Sequence, residues 1–550
     1  MVVRDAHSWF LNQPSGANTS GRYLAAATPI NLYAMDVAGS IINLTDGLDL
    51  QGSETPFENK GYGGGKYGAE SYGTPRQVDG IQASIPATTW TLDNYGEWLL
   101  AVSSTDRNIY CWKPSDDDFG VLENSPRCMS LVATEERFVF ALAAEQAGTI
   151  NVRRVAWSDR EDPTVWEATS LNEAGGFELQ TDGAIRCGIR VRGRTLILTT
   201  TDAHVATYSG PPLVYGFQQV GKNCGVVSDR AAAATGAGAF WMGRDGFYHY
   251  DGSAVRELPC EVLDRVFRFL DKTYWHNVYA VANAKFNEIV WFYTGQGQDG
   301  IEEEVDGNKV IRKVNSRYVA YDYAQGIWSI GEIDRQAGVD SGVFRDPIWI
   351  DSRNRVYRHE IENAPHGGQK PWAETGPISL GNGNEVIKAT QLLSDSFPSG
   401  RINATFKTRF EPQGEERSYG PYDVQPKTDV RFTGRQVRMR IEAYSEPPPI
   451  FETWHNIGKT WDEEKRGWNL PPVTQTRETV YASWLYAEGD WDSESTNWDD
   501  IEVAPPEPPE EPDVGAPGNP NLPSYGDGIA GTEDVRIGDM RLLVTSGGIR

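Results

Sequence analysis

Few side chains in this chain have the type and spacing that catalysis or metal binding needs. Its seven histidines, His7, His204, His249, His276, His359, His366 and His455, are dispersed and form no ligand pair. The five cysteines, Cys111, Cys128, Cys187, Cys224 and Cys260, are odd in number, widely scattered and never arranged as CxxC. That pattern disfavours a disulfide framework or a zinc site and reads as small buried side chains in a reduced protein. There is no HExxH for zinc hydrolysis, no GxSxG nucleophile turn, no GxxxxGK(S/T) phosphate loop and no dinucleotide-binding glycine fingerprint. The expectation is therefore a chain with no catalytic residue, no cofactor-binding residue and no metal ligand, and not an enzyme.

Sugar chemistry requires a closer look. Glycoside hydrolysis needs two placed carboxylates, and among 77 acidic residues sequence alone cannot single out a pair. The stretch SDREDPTVW, Ser158 to Trp166, starts like the Asp-box turn of sialidase blades but lacks its glycine and does not recur. Trp454, Trp461 and Trp468 sit seven apart, and Trp484, Trp491 and Trp498 repeat that spacing thirty residues later. Such tryptophans can serve as sugar-stacking platforms, but two small buried clusters are the simpler account. Heptad spacing would suit a coiled coil, yet Gly458, Gly467 and Gly489 and the lack of aliphatics argue against one.

The elements around these residues are mostly strands. An aromatic-rich apolar strand, a polar turn and a second strand ending in an aromatic return along the chain. The unit reads GRYLAAATPINLYAMD from Gly21, GEWLLAVSSTDRNIYCW from Gly96, RFVFALAAEQAGTINVRRVAW to Trp157, GRTLILTTTDAHVATYSG to Gly210 and GAFWMGRDGFYHYDG to Gly252. NEIVWFYTGQ paired with RYVAYDYAQGIWSI, and PIWIDSRNRVYRHE, continue the series. A spacing of roughly 40 to 75 residues suits repeats of about four strands, which predicts an all-β propeller of six or seven blades over residues 1–370. The first unit begins almost at the N-terminus, so its outer strands are expected to be missing or supplied from elsewhere. YGGGKYGAESYGTPR, Tyr62 to Arg76, reads as an ordered loop whose tyrosines pack on a neighbour. In ELPCEVLDRVFRFLDKT, Val262, Val266, Phe269 and Leu270 fall on one face of a short amphipathic helix.

From residue 371 the character changes. Alternating strands with charged outer faces predict an antiparallel β-sandwich over 371–445 plus 533–550. RQVRMRIEA before the gap and VRIGDMRLLV after it are expected to pair as neighbours in one sheet. The intervening 446–532, with the Trp repeat, reads as an inserted appendage, and EVAPPEPPEEPD, Glu502 to Asp513, as a stiff Pro-rich linker. Nineteen acidic and four basic residues from Glu446 to Glu533 carry more than half of the chain's net charge of -26.

That charge, with a pI near 4.8, is unsuited to tight nucleic-acid binding, since phosphates attract Lys and Arg. It suits a passage along which DNA slides without sticking and equally an acidity that serves solubility alone, and charge by itself does not decide between them. No apolar run of about 18 residues is present to span a membrane. The opening MVVRDAHSWFLNQPSG lacks a signal peptide's apolar core, so a soluble protein made in the cytoplasm, without a membrane anchor, is expected.

An ordered series of strings adds a resemblance. TTWTLDNYGEWLLAVSSTDRNIYCW, WSDREDPTVW, GPPLVYGFQQVGKNCGVVS, FWMGRDGFYHYDG with ELPCEV, FNEIVWFY and RYVAYDYAQGIWSIGEIDR together resemble tailed-bacteriophage virion proteins. The family they resemble is the tail nozzle, or head-to-tail stabilisation, proteins of short-tailed phages. The likeness covers residues 9–445 and 533–550, and the Trp-repeat insertion has no counterpart in it. The resemblance implies a structural protein of the virion tail, made in the host cytoplasm and assembled as a homohexameric ring below the portal and adaptor. Such a ring closes the tail and lines the DNA exit path without sequence-specific binding, touching adaptor, portal and tail fibre or other tail components. A propeller's channel is too narrow for a duplex, so DNA would run between subunits, and blade-edge loops and the sandwich would supply the interfaces. The competing classes are a glycan- or receptor-binding tail protein and a propeller glycosidase.

Overall fold

In a computed structural model the chain divides into two compact units, Met1–Ile361 and Glu362–Arg550. The structure describes residues 1–11, 21–37, 39–48, 50, 52–54, 57–58, 84–85, 87–115, 118–297, 301–305, 308–360, 372–379, 385–394, 401–411, 413–444 and 540–549. The Tyr62 to Arg76 loop, the Trp-repeat insertion and the Pro-rich linker lie outside the described residues.

Among the described residues the first unit contains seven radially arranged antiparallel sheets, so the propeller has seven blades. Their innermost strands, in blade order, are Asp5–Phe10, Trp90–Tyr95, Ser130–Ala133, Ile185–Val191, Ala232–Thr235, Tyr279–Asn283 and Ala337–Val339. Each packs beside the next, and the last returns to the first, closing the circle. Within a blade the strands follow in sequence from the axis outwards, with a two-stranded hairpin inserted into blade 3 and another into blade 6. The expectation for the first blade is overturned. Blade 1 has all four strands, Asp5–Phe10, Arg22–Ala27, Leu32–Asp36 and Ile41–Asn43, and it is blade 7 that has three, ending at Val356–Arg358.

The recurring sequence unit is the second and third strand of each blade. These central strands are covered on both faces by neighbouring blades, so they read as continuous apolar runs rather than alternating ones. Leu99 to Val102, Phe138 to Leu142 and Leu196 to Leu198 are all buried. Tight hairpins join the strands; at Arg192-Gly193 both residues have positive φ, 48° and 71°, as a two-residue turn with matching twist requires. Indole groups tie blade to blade. Trp9 donates to the Glu97 carbonyl at 3.2 Å, Trp291 to Ala231 at 3.0 Å and Trp241 to Cys224 at 2.7 Å. Each thus buries a large ring without leaving its N–H unpaired.

The helix expected before blade 6 is Leu263–Phe269, followed by a 3-10 turn, Lys272–Asn277. Val266 and Leu270 are buried as expected, but Phe269 is 41% exposed, with the Arg317 guanidinium 5.4 Å from its ring. The stripe that packs inward runs through Val262, Leu263, Val266, Phe267 and Leu270, which leaves Phe269 on its margin.

The second unit is an antiparallel β-sandwich. One sheet holds Trp372–Glu374, Ile378–Ser379, Gln436–Tyr444, Arg401–Arg409 and Arg417–Asp423; the other holds Lys427–Gly434, Glu385–Ser394 and Met540–Ile549. Strict alternation in Lys427–Gly434 turns Val430 and Phe432 inward, where Phe432 stacks 4.6 Å from Phe406. The expected pairing of the strands before and after the insertion does not occur. Gln436–Tyr444 has both edges occupied, by Arg401–Arg409 on one side and the two short strands on the other. Met540–Ile549 instead pairs with Glu385–Ser394 in the opposite sheet.

Candidate functional site

Charged groups converge where the seven inner strands meet. Asp5, from blade 1, is fully buried and forms an ion pair with Arg230 at the entry to blade 5. Its carboxylate also accepts from the amides of Ala6 at 2.8 Å and Leu92 at 3.0 Å. The Tyr279 hydroxyl of blade 6 lies 3.3 Å from it and donates to the Gly338 carbonyl of blade 7 at 2.9 Å. Asp93 of blade 2 accepts from Arg190 of blade 4 at 2.7 Å and from the Ala133 amide of blade 3 at 2.8 Å. Asp229 accepts from the Thr89 hydroxyl at 3.1 Å and pairs with Arg186 at 3.5 Å. The Ser130 hydroxyl donates to the Arg186 carbonyl at 2.8 Å. His7 stands 3.0 Å from Asn94 Oδ1 and 4.0 Å from Asp93. All seven blades contribute.

Burial dominates the electrostatics here. It pushes the Asp5 carboxyl up to about 7 against the pull of Arg230, the two amides and Tyr279. Burial is the largest single influence on Arg230 and pulls it down, but Asp5, Tyr279 and Cys187 together outweigh it and hold the guanidinium above its ordinary value. His7 is lowered by burial, with Asp93 opposing, so its imidazole is neutral at pH 7. The three carboxylates and three guanidiniums answer one another. A buried charge that loses its partner is costly, so the arrangement fixes the register of the inner strands.

The Asp-box-like stretch follows the third strand of blade 3, and its carboxylates cap their own turn. Asp159 accepts from the amides of Arg160 and Glu173 at 2.9 and 2.8 Å, and Asp162 from the amide and hydroxyl of Thr164 at 2.9 and 2.6 Å. The histidines lie in different blades. His204 is 3.3 Å from Asp202, His249 stacks on Phe240 at 4.2 Å, and His359 lies tilted against Trp349 at 3.9 Å and accepts from Arg335 at 2.9 Å. His276 lies in the 3-10 turn; His366 and His455 lie outside the described residues. Among the described residues no three His, Cys, Asp or Glu are grouped to hold a metal ion. Cys111, Cys128, Cys187 and Cys224 are buried and Cys260 half-buried, all free thiols that burial pushes up. An open groove of about 800 Å³ lies between the blade 3 hairpin and the turn Asp182 to Ala184, with Arg153 and Asp182 at its wall.

The axial network was not anticipated from sequence. A signal existed: the strands preceding the aromatic units, DAHSWF and IRCGIRV, carry charges within otherwise apolar runs.

These features define an all-β protein, a seven-bladed propeller followed by an antiparallel sandwich. No family model matches the chain, and no curated protein matches it. Among solved structures, the β-propeller domain of Cps50 (Swd1) from Myceliophteria thermophila is similar at 7% identity, covering 60% of this chain and 90% of that one, with a TM-score of 0.32. BamB from Moraxella catarrhalis is similar at 9% identity over 64% of this chain and 98% of that one, TM-score 0.29. A luciferin-regenerating enzyme is similar at 10% identity over 47% of this chain and 81% of that one, TM-score 0.28. At such identities and scores these neighbours carry no inference about activity.

Proposed function

We propose that this chain is a structural component of a bacteriophage tail, a nozzle-like ring protein below the portal and adaptor that closes the tail and lines the DNA exit path. The observation that carries the reading is the set of ion pairs formed between blades at the propeller axis. Asp5, Asp93 and Asp229 are each paired with an arginine of another blade, which suits a single propeller to a wall element better than to a conduit. Several copies arranged around a common axis would then form the passage between them. The strings that resemble the nozzle family supply the second support, since they run in order through blades 2 to 6. A net charge of -26 fits a lining that repels phosphates and keeps friction low. The test is mass spectrometry of purified particles from a host producing this chain. The reading expects the chain in particles at the stoichiometry of a ring component, beside portal and adaptor. Particles that are complete and infective without it would overturn the reading.

A further inference from the structure

The outer face of one sandwich sheet gathers cations around an exposed tryptophan. On its two central strands, Arg401–Arg409 and Gln436–Tyr444, Ile402, Ala404, Phe406, Val437 and Ile441 turn inward. Alternation therefore sets Lys407, Arg409, Arg438 and Arg440 on the outward side, with Glu442 the one carboxylate among them. Glu374 and Glu416 reach in from the flanks. Glu374, its side chain only 8% exposed, takes Arg438 and, at 2.9 Å, Lys407, while Arg438 also lies 3.4 Å from Glu416. Burial pushes the Glu374 carboxyl up, but Lys407, Arg438 and Arg440 outweigh it and hold it below its ordinary value. Three cations thus answer one buried carboxylate. Trp372, cross-strand from Glu442 on the same face, is 59% exposed, and the Arg440 guanidinium stands 4.3 Å from its ring.

We propose that this face is the docking site of the chain's own acidic, proline-rich stretch, Glu502 to Asp513. Those residues lie outside the described ones, but their sequence, EVAPPEPPEEPD, is complementary to the face in kind and in spacing. Proline stands at 506, 509 and 512, and a carboxylate at 507, 510 and 513. A polyproline II helix has three residues per turn, so that spacing sets an edge of prolines beside an edge of carboxylates. Prolines pack on an aromatic face such as Trp372, and carboxylates answer the guanidiniums of Arg438 and Arg440. Connectivity selects this occupant over a free one. The strand that bears Arg438 and Arg440 leads straight into the insertion, and the chain re-enters the same sandwich at Met540–Ile549. A segment tied at both ends to the body it meets has an effective concentration that a free anion lacks. Charge selects it too. The nineteen acidic and four basic residues from Glu446 to Glu533 are repelled by the acidic remainder of the chain and attracted where cations stand in excess. The contact is independent of the tail reading.

The experiment is zero-length carbodiimide cross-linking of the full chain, followed by peptide mapping. The reagent joins a carboxylate to an amine only at contact distance, and among the described residues Lys407 is the one lysine on this face. Its link to Glu374, 2.9 Å away, is the internal control. The expected result is a second set of links, from Lys407 to Glu507, Glu510 or Asp513, with far fewer from Lys388 and Lys427 on the opposite sheet. W372A and R440Q, checked for fold by near-UV circular dichroism, should each lower the second set about tenfold against the control. W372A alters an exposed side chain and keeps the test open if R440Q fails to fold. Lys407 linked to Glu374 alone, equal linking at Lys388 and Lys427, or variants that link like the wild type would each overturn the proposal. A mixture of isotope-labelled and unlabelled chain separates the other occupants. Mixed-label pairs would give the face to a second copy's segment, and links lost on adding duplex DNA at physiological salt would give it to nucleic acid; either result overturns the assignment.

Discussion

Arg230→Met tests how the axis is held. The guanidinium is the counter-charge of Asp5, whose side chain has no exposure at all. Below pH 7 Asp5 already carries a proton in the folded state, because burial holds its carboxyl at about 7. There the substitution removes a hydrogen bond and the packing over Tyr279, where the guanidinium stands 5.5 Å from the ring, at a cost of about 1–2 kcal/mol. Well above pH 7 the variant must either ionise Asp5 without a partner or hold a proton that wild type has released, which costs about 3–5 kcal/mol. The sign follows from proton binding. Without Arg230 the folded carboxyl rises further while the unfolded one stays near the ordinary value, so the native state holds the extra proton to higher pH. Stability of the variant then falls as pH rises past 7, by up to about 1.4 kcal/mol per unit, relative to wild type. The assay is urea unfolding by near-UV circular dichroism at pH 6 and pH 9, for R230M, D5N and the double variant. At pH 9 the double variant should be less destabilised than the sum of the singles. A cost of R230M below 1 kcal/mol, equal at both pH values, would refute the reasoning.

Other consequences follow from the same packing and charge. Burial and the nearby Arg4 push the His276 imidazole down to about 3, so the folded state refuses a proton that the unfolded state takes below its ordinary 6.5. Stability should therefore fall as pH drops from 6.5 towards 3, and H276Q should remove about 2–3 kcal/mol of the loss between pH 6.5 and 4.5, read as a smaller drop in urea midpoint. Trp291 is fully buried against Phe247 and Trp328, so W291A should cost about 3–5 kcal/mol in the same assay, while W291F should recover part of it. A Cβ at Gly225 would stand 2.0 Å from the Thr200 carbonyl oxygen, a contact only a backbone shift can relieve. Gly225→Ala should lower stability by about 1–3 kcal/mol, seen as an earlier thermal transition.

The propeller was legible because its central strands, such as Trp98–Ser103 and Gly238–Met242, are buried on both faces and announce themselves as apolar aromatic runs. The inner strands were not, because their polar residues look like solvent-facing positions until seven segments meet at one axis. Asp5 and Arg230 are 225 positions apart, and nothing local marks either as the other's partner. The outermost strand of blade 1, Ile41–Asn43, was illegible because three residues are too few to show a strand pattern. The partner of Met540–Ile549 was illegible too, since which edge of a sandwich is free depends on pairing already made elsewhere. The Phe269 error came from treating seven helical residues as a full stripe, when tertiary packing chose the adjacent side.

The central claim is that copies of this chain stand around the DNA path, with charged side chains set between the blades at each propeller's axis. An electron cryo-microscopy map of the purified particle tests it most directly. The account predicts a ring of these propellers at the tail, with the exit path running between subunits and side-chain density filling each propeller's axis at Asp5, Asp93 and Arg230. A map in which the DNA path threads a propeller, or in which the tail is complete without this chain, would contradict it.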